Sequence, residues 1–140
     1  MLPDDLKQGI IAQSVAEWQQ IAMDFARHCT DECYLALHGD LGSGKTTFVK
    51  GLGMAWHIPF IKSPSFNLVD LHVGTRRLAH VDAYRLNWDS LEYLGLEDFL
   101  KPPFCLAVEW PELFPISINF SYHLYFTIIA EGQHKIRWNS

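Results

Sequence analysis

The stretch HGDLGSGKTTF, His38 to Phe48, limits what this chain can fold into more than any other. Gly39-Asp40-Leu41-Gly42-Ser43-Gly44-Lys45-Thr46 matches G-x-x-x-x-G-K-[ST] without a gap. A loop of this kind wraps a phosphate so that successive backbone N–H groups point inward. That needs close approach and positive φ, which glycine adopts without a steric penalty. The helix starting near Gly44 adds its N-terminal dipole. Lys45 supplies a full charge to the β- and γ-phosphates, and the Thr46 hydroxyl is a magnesium ligand. Thr47 belongs to the same helix start. The competing reading is a glycine-rich turn with an exposed lysine, but the apolar CYLAL before the loop and the helical pattern after it favour a nucleotide–Mg²⁺ site. The guanine-reading motif N-K-x-D is absent.

Such a loop demands a strand before it and a helix after it. Cys33–Leu37 suits a buried strand, and Lys45–Trp56 has helical character. Upstream, Ser14-Val15-Ala16-Glu17 reads as a capping box in which Glu17 reaches back to the serine's own N–H. Val15, Trp18, Ile21, Ala22 and Phe25 then recur at helical spacing, predicting a helix from Ser14 to His28. Phe66–His72 and Arg77–Asp82 are strand-like and flank Val73-Gly74-Thr75-Arg76, whose glycine suits a tight antiparallel turn. Trp88–Phe99 reads as a helix broken at Gly95. Phe104–Val108 is a second buried strand, and Tyr122–Ala130 with His134–Trp138 make a closing hairpin. The expected fold class is α/β: a P-loop NTPase-like mixed sheet with a parallel nucleotide-binding core, antiparallel edge hairpins and flanking helices.

A bound metal needs an acidic residue at a strand end beside the loop. Two carboxylates qualify. Glu109 follows the uniformly apolar FCLAV and is the first choice for the metal; its alternative is a helix cap or surface charge. Asp82 follows LAHV and is a turn cap, a second metal-shell ligand, or the group that orients an attacking water. His80 beside it is a structural hydrogen-bonder or a catalyst. Ser65, in Ser63-Pro64-Ser65-Phe66, is either a γ-phosphate sensor or part of a proline-set turn. Trp110 either packs near the nucleotide or covers the core edge. Tyr84 and Arg85 are core-edge residues or part of a partner-facing loop.

Composition narrows the class. With 140 residues, 49 % of them hydrophobic, one domain spanning 1–140 is expected, large enough for its own core. No apolar run reaches the ~18 residues of a membrane span, and the acidic N-terminus lacks a signal pattern. Three cysteines in no paired framework suit a reducing, cytoplasmic setting. A net charge of −5 argues against a free-standing nucleic-acid binder. The pairs Arg76–Arg77 and Lys135–Arg137 read as solvated surface.

GDLGSGKTTF, SPSFNL (Ser63–Leu68), HVDAYR (His80–Arg85) and VEWPE (Val108–Glu112), in this order, resemble the TsaE (YjeE) family of small P-loop ATPases in tRNA threonylcarbamoyladenosine biosynthesis. The resemblance runs from about Ser14 to the C-terminal hairpin. It implies that ATP is the nucleotide, held by the loop from Gly39 to Thr47, with Trp110 kept as a candidate neighbour. It implies that Lys45 binds phosphate, that Thr46 and Glu109 hold Mg²⁺, that Asp82 acts near the γ-phosphate, and that the segment holding Ser65 is a switch. The implied partner is the TsaB–TsaD heterodimer, which carries out transfer to tRNA, so that contact with tRNA is indirect and no membrane is involved. ATP hydrolysis resets that complex. The family's usual S-P-T-F is S-P-S-F here, which keeps the hydroxyl, and Ser43 stands where the family often has alanine. The alternative is a small-molecule P-loop kinase, whose arginine-bearing lid is not evident; only Arg76 and Arg77 lie near a hairpin tip. A third reading is a binding module that uses nucleotide only to hold its shape, for which Asp82 and Glu109 would be dispensable.

Overall fold

Most of the predicted elements are recognisable among the described residues, with boundaries decided by local hydrogen bonding. The computed structural model describes residues 7–40, 42–59, 69–85, 96–114 and 117–139. Among these, the strands are β1 (Ile10–Ala12), β2 (Glu32–His38), β3 (Val69–Val73), β4 (Arg77–Asp82), β5 (Phe104–Glu109), β6 (Tyr122–Ala130) and β7 (Gln133–Asn139). The α-helices are α1 (Val15–Ala26), α2 (Lys45–Ala55) and the single turn α3 (Leu96–Phe99). Most of the expected Trp88–Phe99 helix lies outside the described residues, as do Phe66–Leu68 of the expected third strand.

Helix α1 starts where its capping residues place it. Ser14 Oγ accepts the Glu17 N–H at 3.1 Å. The Glu17 carboxylate, however, accepts the N–H of Gln13 at 2.7 Å rather than that of Ser14. The reciprocal cap survives one residue earlier, because Ser14 is extended and turns its own N–H away. Trp18, Ala22, Phe25 and Ala26 form the buried face of α1. Strand β1 was not anticipated; three residues are too short to show alternation.

The sheet order is β1-β7-β6-β2-β5-β4-β3. Strand β2 runs parallel to both β5 and β6, and β4 runs parallel to β5. The pairs β3–β4, β6–β7 and β1–β7 are antiparallel. This is the expected mixed sheet, with β2 and β5 at its centre. All six residues of β5 are buried, as a strand covered on both faces requires. Helices α1 and α2 cover one face, where Trp18, Phe25, Phe48 and Leu52 pack on Leu35, Leu37 and Leu124. The other face buries Ala79, Val81, Leu106 and Val108 under Leu96 and Phe114.

The end of the sheet away from the glycine-rich loop corrects one expectation. Arg76 is not solvated surface: it is 8 % exposed. Its guanidinium donates to the carbonyls of Cys29, Thr30 and Phe104 and lies 4.8 Å from the Trp56 ring centroid. Gly74 is needed there for close approach: a Cβ would stand 2.1 Å from the Trp56 carbonyl oxygen. That oxygen already accepts the Thr75 N–H at 2.7 Å and the Thr75 hydroxyl at 3.1 Å. Arg77 lies on the other face, donating to the Phe99 carbonyl at 3.1 Å.

Candidate nucleotide site

The parallel register brings the glycine-rich loop and both carboxylates to one edge. Strand β2 ends at His38 and β5 at Glu109, with Leu37 opposite Glu109 and Asp82 opposite Glu109. The loop leaves β2 and returns as α2, whose cap Gly44 has φ 105°. A side chain at Gly44 would be strained by that φ and would also meet Trp18 Nε1 at 2.7 Å. Trp18 Nε1 donates to the Gly44 carbonyl at 2.7 Å. On the same side, the His134 ring N–H donates to the Ser43 carbonyl at 3.1 Å, and the His134 and Trp18 rings are 5.7 Å apart. Two aromatic residues from outside the loop therefore hold its carbonyls outward.

Lys45 opens α2 and is 5 % exposed. Its Nζ donates to the Gly39 carbonyl at 2.5 Å, stands 3.7 Å from Glu109 Oε1, and lies 4.8 Å from the Trp110 ring centroid. Glu109 is 8 % exposed, and its Oε2 accepts the His80 Nε2–H at 2.5 Å. Burial pushes the Glu109 carboxyl up, but the His80 hydrogen bond, with the charges of His80 and Lys45, outweighs it and holds the group below the ordinary carboxylate range. Glu109 is thus prepared as a carboxylate at the loop.

Asp82 is differently placed. Its Oδ1 accepts the Tyr84 N–H at 3.1 Å, which starts the 3₁₀ turn Ala83–Arg85. The turn reading of Asp82 is therefore present, and its register beside Glu109 leaves it near the same edge. Trp110 takes a left-handed φ of 56° and packs against Tyr84, ring centroids 5.3 Å apart. It lies beside Lys45 rather than merely at the core edge.

A cavity of about 420 Å³ opens over this edge. Gly42, Gly44, Lys45, Thr46, Thr47 and Glu109 line one side; Gln13, Ser14, Trp18, Gly132 and His134 line the other. Its volume falls in the usual range for small-molecule sites, ~300–1,000 Å³. Asp40 and Ser43 lie in the loop but outside this lining; Asp40 accepts the Ser43 N–H at 3.1 Å. Leu41 and Ser65 lie outside the described residues, so nothing places them. Trp18, Gln13 and His134 had no functional signal in the sequence. Trp18 read as a core position of a helix, and His134 is 91 residues from its partner Ser43.

Among the described residues no three His, Cys, Asp or Glu side chains form a metal-holding group. Magnesium takes one or two protein oxygens and completes its shell with phosphates and water. Thr46 and Glu109 on one cavity wall suit that role.

A mixed α/β sheet carrying a glycine-rich loop between a central strand and a helix defines the structural class. The comparisons give the family. A family model for the threonylcarbamoyl adenosine biosynthesis protein TsaE matches residues 12–137, and the chain belongs to that family. The Aquifex aeolicus tRNA threonylcarbamoyladenosine biosynthesis protein TsaE is 33 % identical over 113 residues, covering 77 % of this chain and 80 % of that protein. The Borreliella burgdorferi protein of the same name is 35 % identical, covering 69 % and 74 %. The Synechocystis one is 44 % identical over 58 % of this chain, which spans about half of that relative, 55 %. Among solved structures, YdiB of Bacillus subtilis superposes with a TM-score of 0.70 at 26 % identity, covering 91 % of this chain and 81 % of that one.

Proposed function

We propose that residues 1–140 act as a single Mg²⁺-dependent ATPase domain that binds a TsaB–TsaD heterodimer and supports threonylcarbamoyl transfer to the adenosine next to the tRNA anticodon. Its ATP hydrolysis resets that complex between turnovers, in the cytoplasm, and tRNA is met only through the complex. The observation that carries this reading is the buried Lys45–Glu109 pair, 3.7 Å apart on the wall of the cavity, in a chain of the TsaE family.

The roles proposed rest on the loop motif and the family resemblance. The backbone from Gly39 to Thr47 cradles the phosphates, with Asp40, Leu41 and Ser43 completing the loop. Lys45 exchanges the Gly39 carbonyl for the β- and γ-phosphates. Thr46 and Glu109 would hold a magnesium ion, which would supply charge neutralisation at the phosphate oxygens. Asp82 orients the attacking water. Ser65 senses the γ-phosphate. Trp110, beside the Lys45 ammonium, flanks the nucleotide.

The test is ATP turnover by the full chain with and without TsaB–TsaD. Weak turnover alone and clear stimulation by the pair are expected. Cells lacking the protein should lose the modified adenosine. Normal modification in a clean deletion defeats this function, and transfer of phosphate to a metabolite instead of water turns the reading to a kinase.

A further inference from the structure

Behind Glu109 lies a line of buried polar groups that the site described so far does not use. His80 is fully buried, yet its Nδ1 has no hydrogen-bond partner among the described residues. Asp70 is 8 % exposed, and its Oδ2 is also unpaired among them. The two residues are register partners across β3 and β4, so their side chains leave the sheet on the same face. His72 Nε2, next along that face, is unpaired in the same way. These orphans are therefore neighbours in one column, and not isolated defects. Buried polar atoms are almost always satisfied, by protein or by ordered water.

The column has a direction. A carboxylate accepts, so the 2.5 Å contact to Glu109 Oε2 puts a proton on His80 Nε2. Nδ1 then faces away from Glu109. With its proton on Nε2, neutral His80 offers a lone pair at Nδ1, and a buried water that donates to it would fix the ring's tautomer and orientation.

We propose that Asp70 is a positioning residue that holds His80 through one bridging water, which donates one hydrogen to His80 Nδ1 and the other to Asp70 Oδ2, so that His80 pins Glu109 Oε2 and leaves Oε1 facing the phosphates and their magnesium. The magnesium half of this statement rests on the proposed ATPase reading; the Asp70–His80–Glu109 link does not. Asp70 touches no substrate in this arrangement and acts only through His80.

Full-length Asp70→Asn, Asp70→Ala and His80→Gln variants test it in two ways. Histidine proton–nitrogen correlation spectra, taken without nucleotide, should show a proton on His80 Nε2 in the parent. They should also show a shifted His80 Nδ1 signal in Asp70→Asn. A bare Nε2 in the parent, or an Nδ1 signal that ignores Asp70→Asn, overturns the link. If that variant does not fold, a parent Nδ1 signal typical of a nitrogen without a hydrogen bond overturns it. The second readout is affinity for a fluorescent ATP analogue, with Mg²⁺ and with EDTA. Loss of this kind of outer support weakens metal binding about tenfold or more. Asp70→Asn and His80→Gln should therefore bind the analogue about tenfold more weakly in Mg²⁺ and unchanged in EDTA. Equal weakening in both buffers, or none in either, overturns the positioning role. A parent that binds no analogue at all refutes the ATPase reading and the magnesium half with it, and the ring spectra alone then decide the link.

Discussion

Two buried cations sit at opposite ends of the same central strands, and they behave differently. Arg76 is closed in by the carbonyls of Cys29, Thr30 and Phe104 and by the Trp56 ring. Its two terminal nitrogens both donate to protein carbonyls. Lys45 is as buried, at 5 % against 8 %, but it faces a cavity. Its contacts are one carbonyl, one carboxylate at 3.7 Å and the Trp110 ring. An arginine fork suits several fixed acceptors at once, whereas a lysine is a compact charge on a flexible stem that can change partner. The same burial therefore marks a structural clamp at one end and an exchangeable phosphate ligand at the other. It also bears on the kinase alternative, because Arg76 and Arg77 lie at the end of the sheet away from the glycine-rich loop.

The largest expected effects come from removing each cation. Arg76→Ala strands three carbonyls and empties the space beside Trp56, and should lower stability by about 3 kcal/mol. Nucleotide affinity per folded molecule should stay unchanged. Lys45→Ala should do the reverse, weakening ATP affinity more than about 100-fold (about 2.7 kcal/mol,) with little change in melting temperature. Paired thermal melts and calorimetric titrations check both; if either variant shows the other's signature, the contrast is wrong.

Glu109→Gln comes next. It keeps an acceptor for His80 but removes the charge beside Lys45, and hydrolysis should fall by roughly 10²–10³, the scale of losing one preorganised charge-stabilising group. Nucleotide binding in EDTA should persist. Full hydrolysis by this variant would separate Glu109 from the chemistry.

Gly74→Ala probes the structural end alone. Its Cβ meets backbone at 2.1 Å, so the hairpin must shift away from Trp56. A stability loss of about 1–3 kcal/mol by chemical denaturation is expected, with hydrolysis rate unaffected. A change in turnover at constant fold would mean that the two ends communicate.

The smallest and most discriminating change is Asp82→Asn. An asparagine oxygen can still accept the Tyr84 N–H, so stability should stay within about 0.5 kcal/mol. Turnover should fall about tenfold or more if Asp82 orients water. Asp82→Ala should in addition lose about 1 kcal/mol with its turn-capping bond. Unaltered turnover in both would leave Asp82 as a turn residue only.

Local patterns were the legible part. The apolar runs at Cys33–Leu37 and Phe104–Val108 predicted the two central strands, and Ser14 predicted where α1 begins. The hairpins at Arg77–Asp82 and Tyr122–Ala130 followed from strand-like runs around turn residues. Most of the candidate site was visible as a motif, because the loop that makes it is contiguous. The roles of Gly74 and Arg76 were not. Gly74 read as a turn glycine, but what requires it is the Trp56 carbonyl 18 positions earlier, and Arg76 is held by three carbonyls from two separate segments. The histidine that donates to Glu109, the tryptophan against Gly44 and the histidine against Ser43 were equally hidden, since each contact joins residues 26 or more apart.

By itself, the sequence determined the glycine-rich loop, the order of strands and helices around it, and the family, because these rest on contiguous residues and short-range backbone geometry. The tertiary structure alone decided which buried cation is clamped and which faces the cavity. It alone set Asp82 and Glu109 side by side, and placed His80 between Glu109 and Asp70. Those facts depend on the parallel register of β2, β4 and β5, and a register between strands distant in sequence leaves no mark on either strand alone.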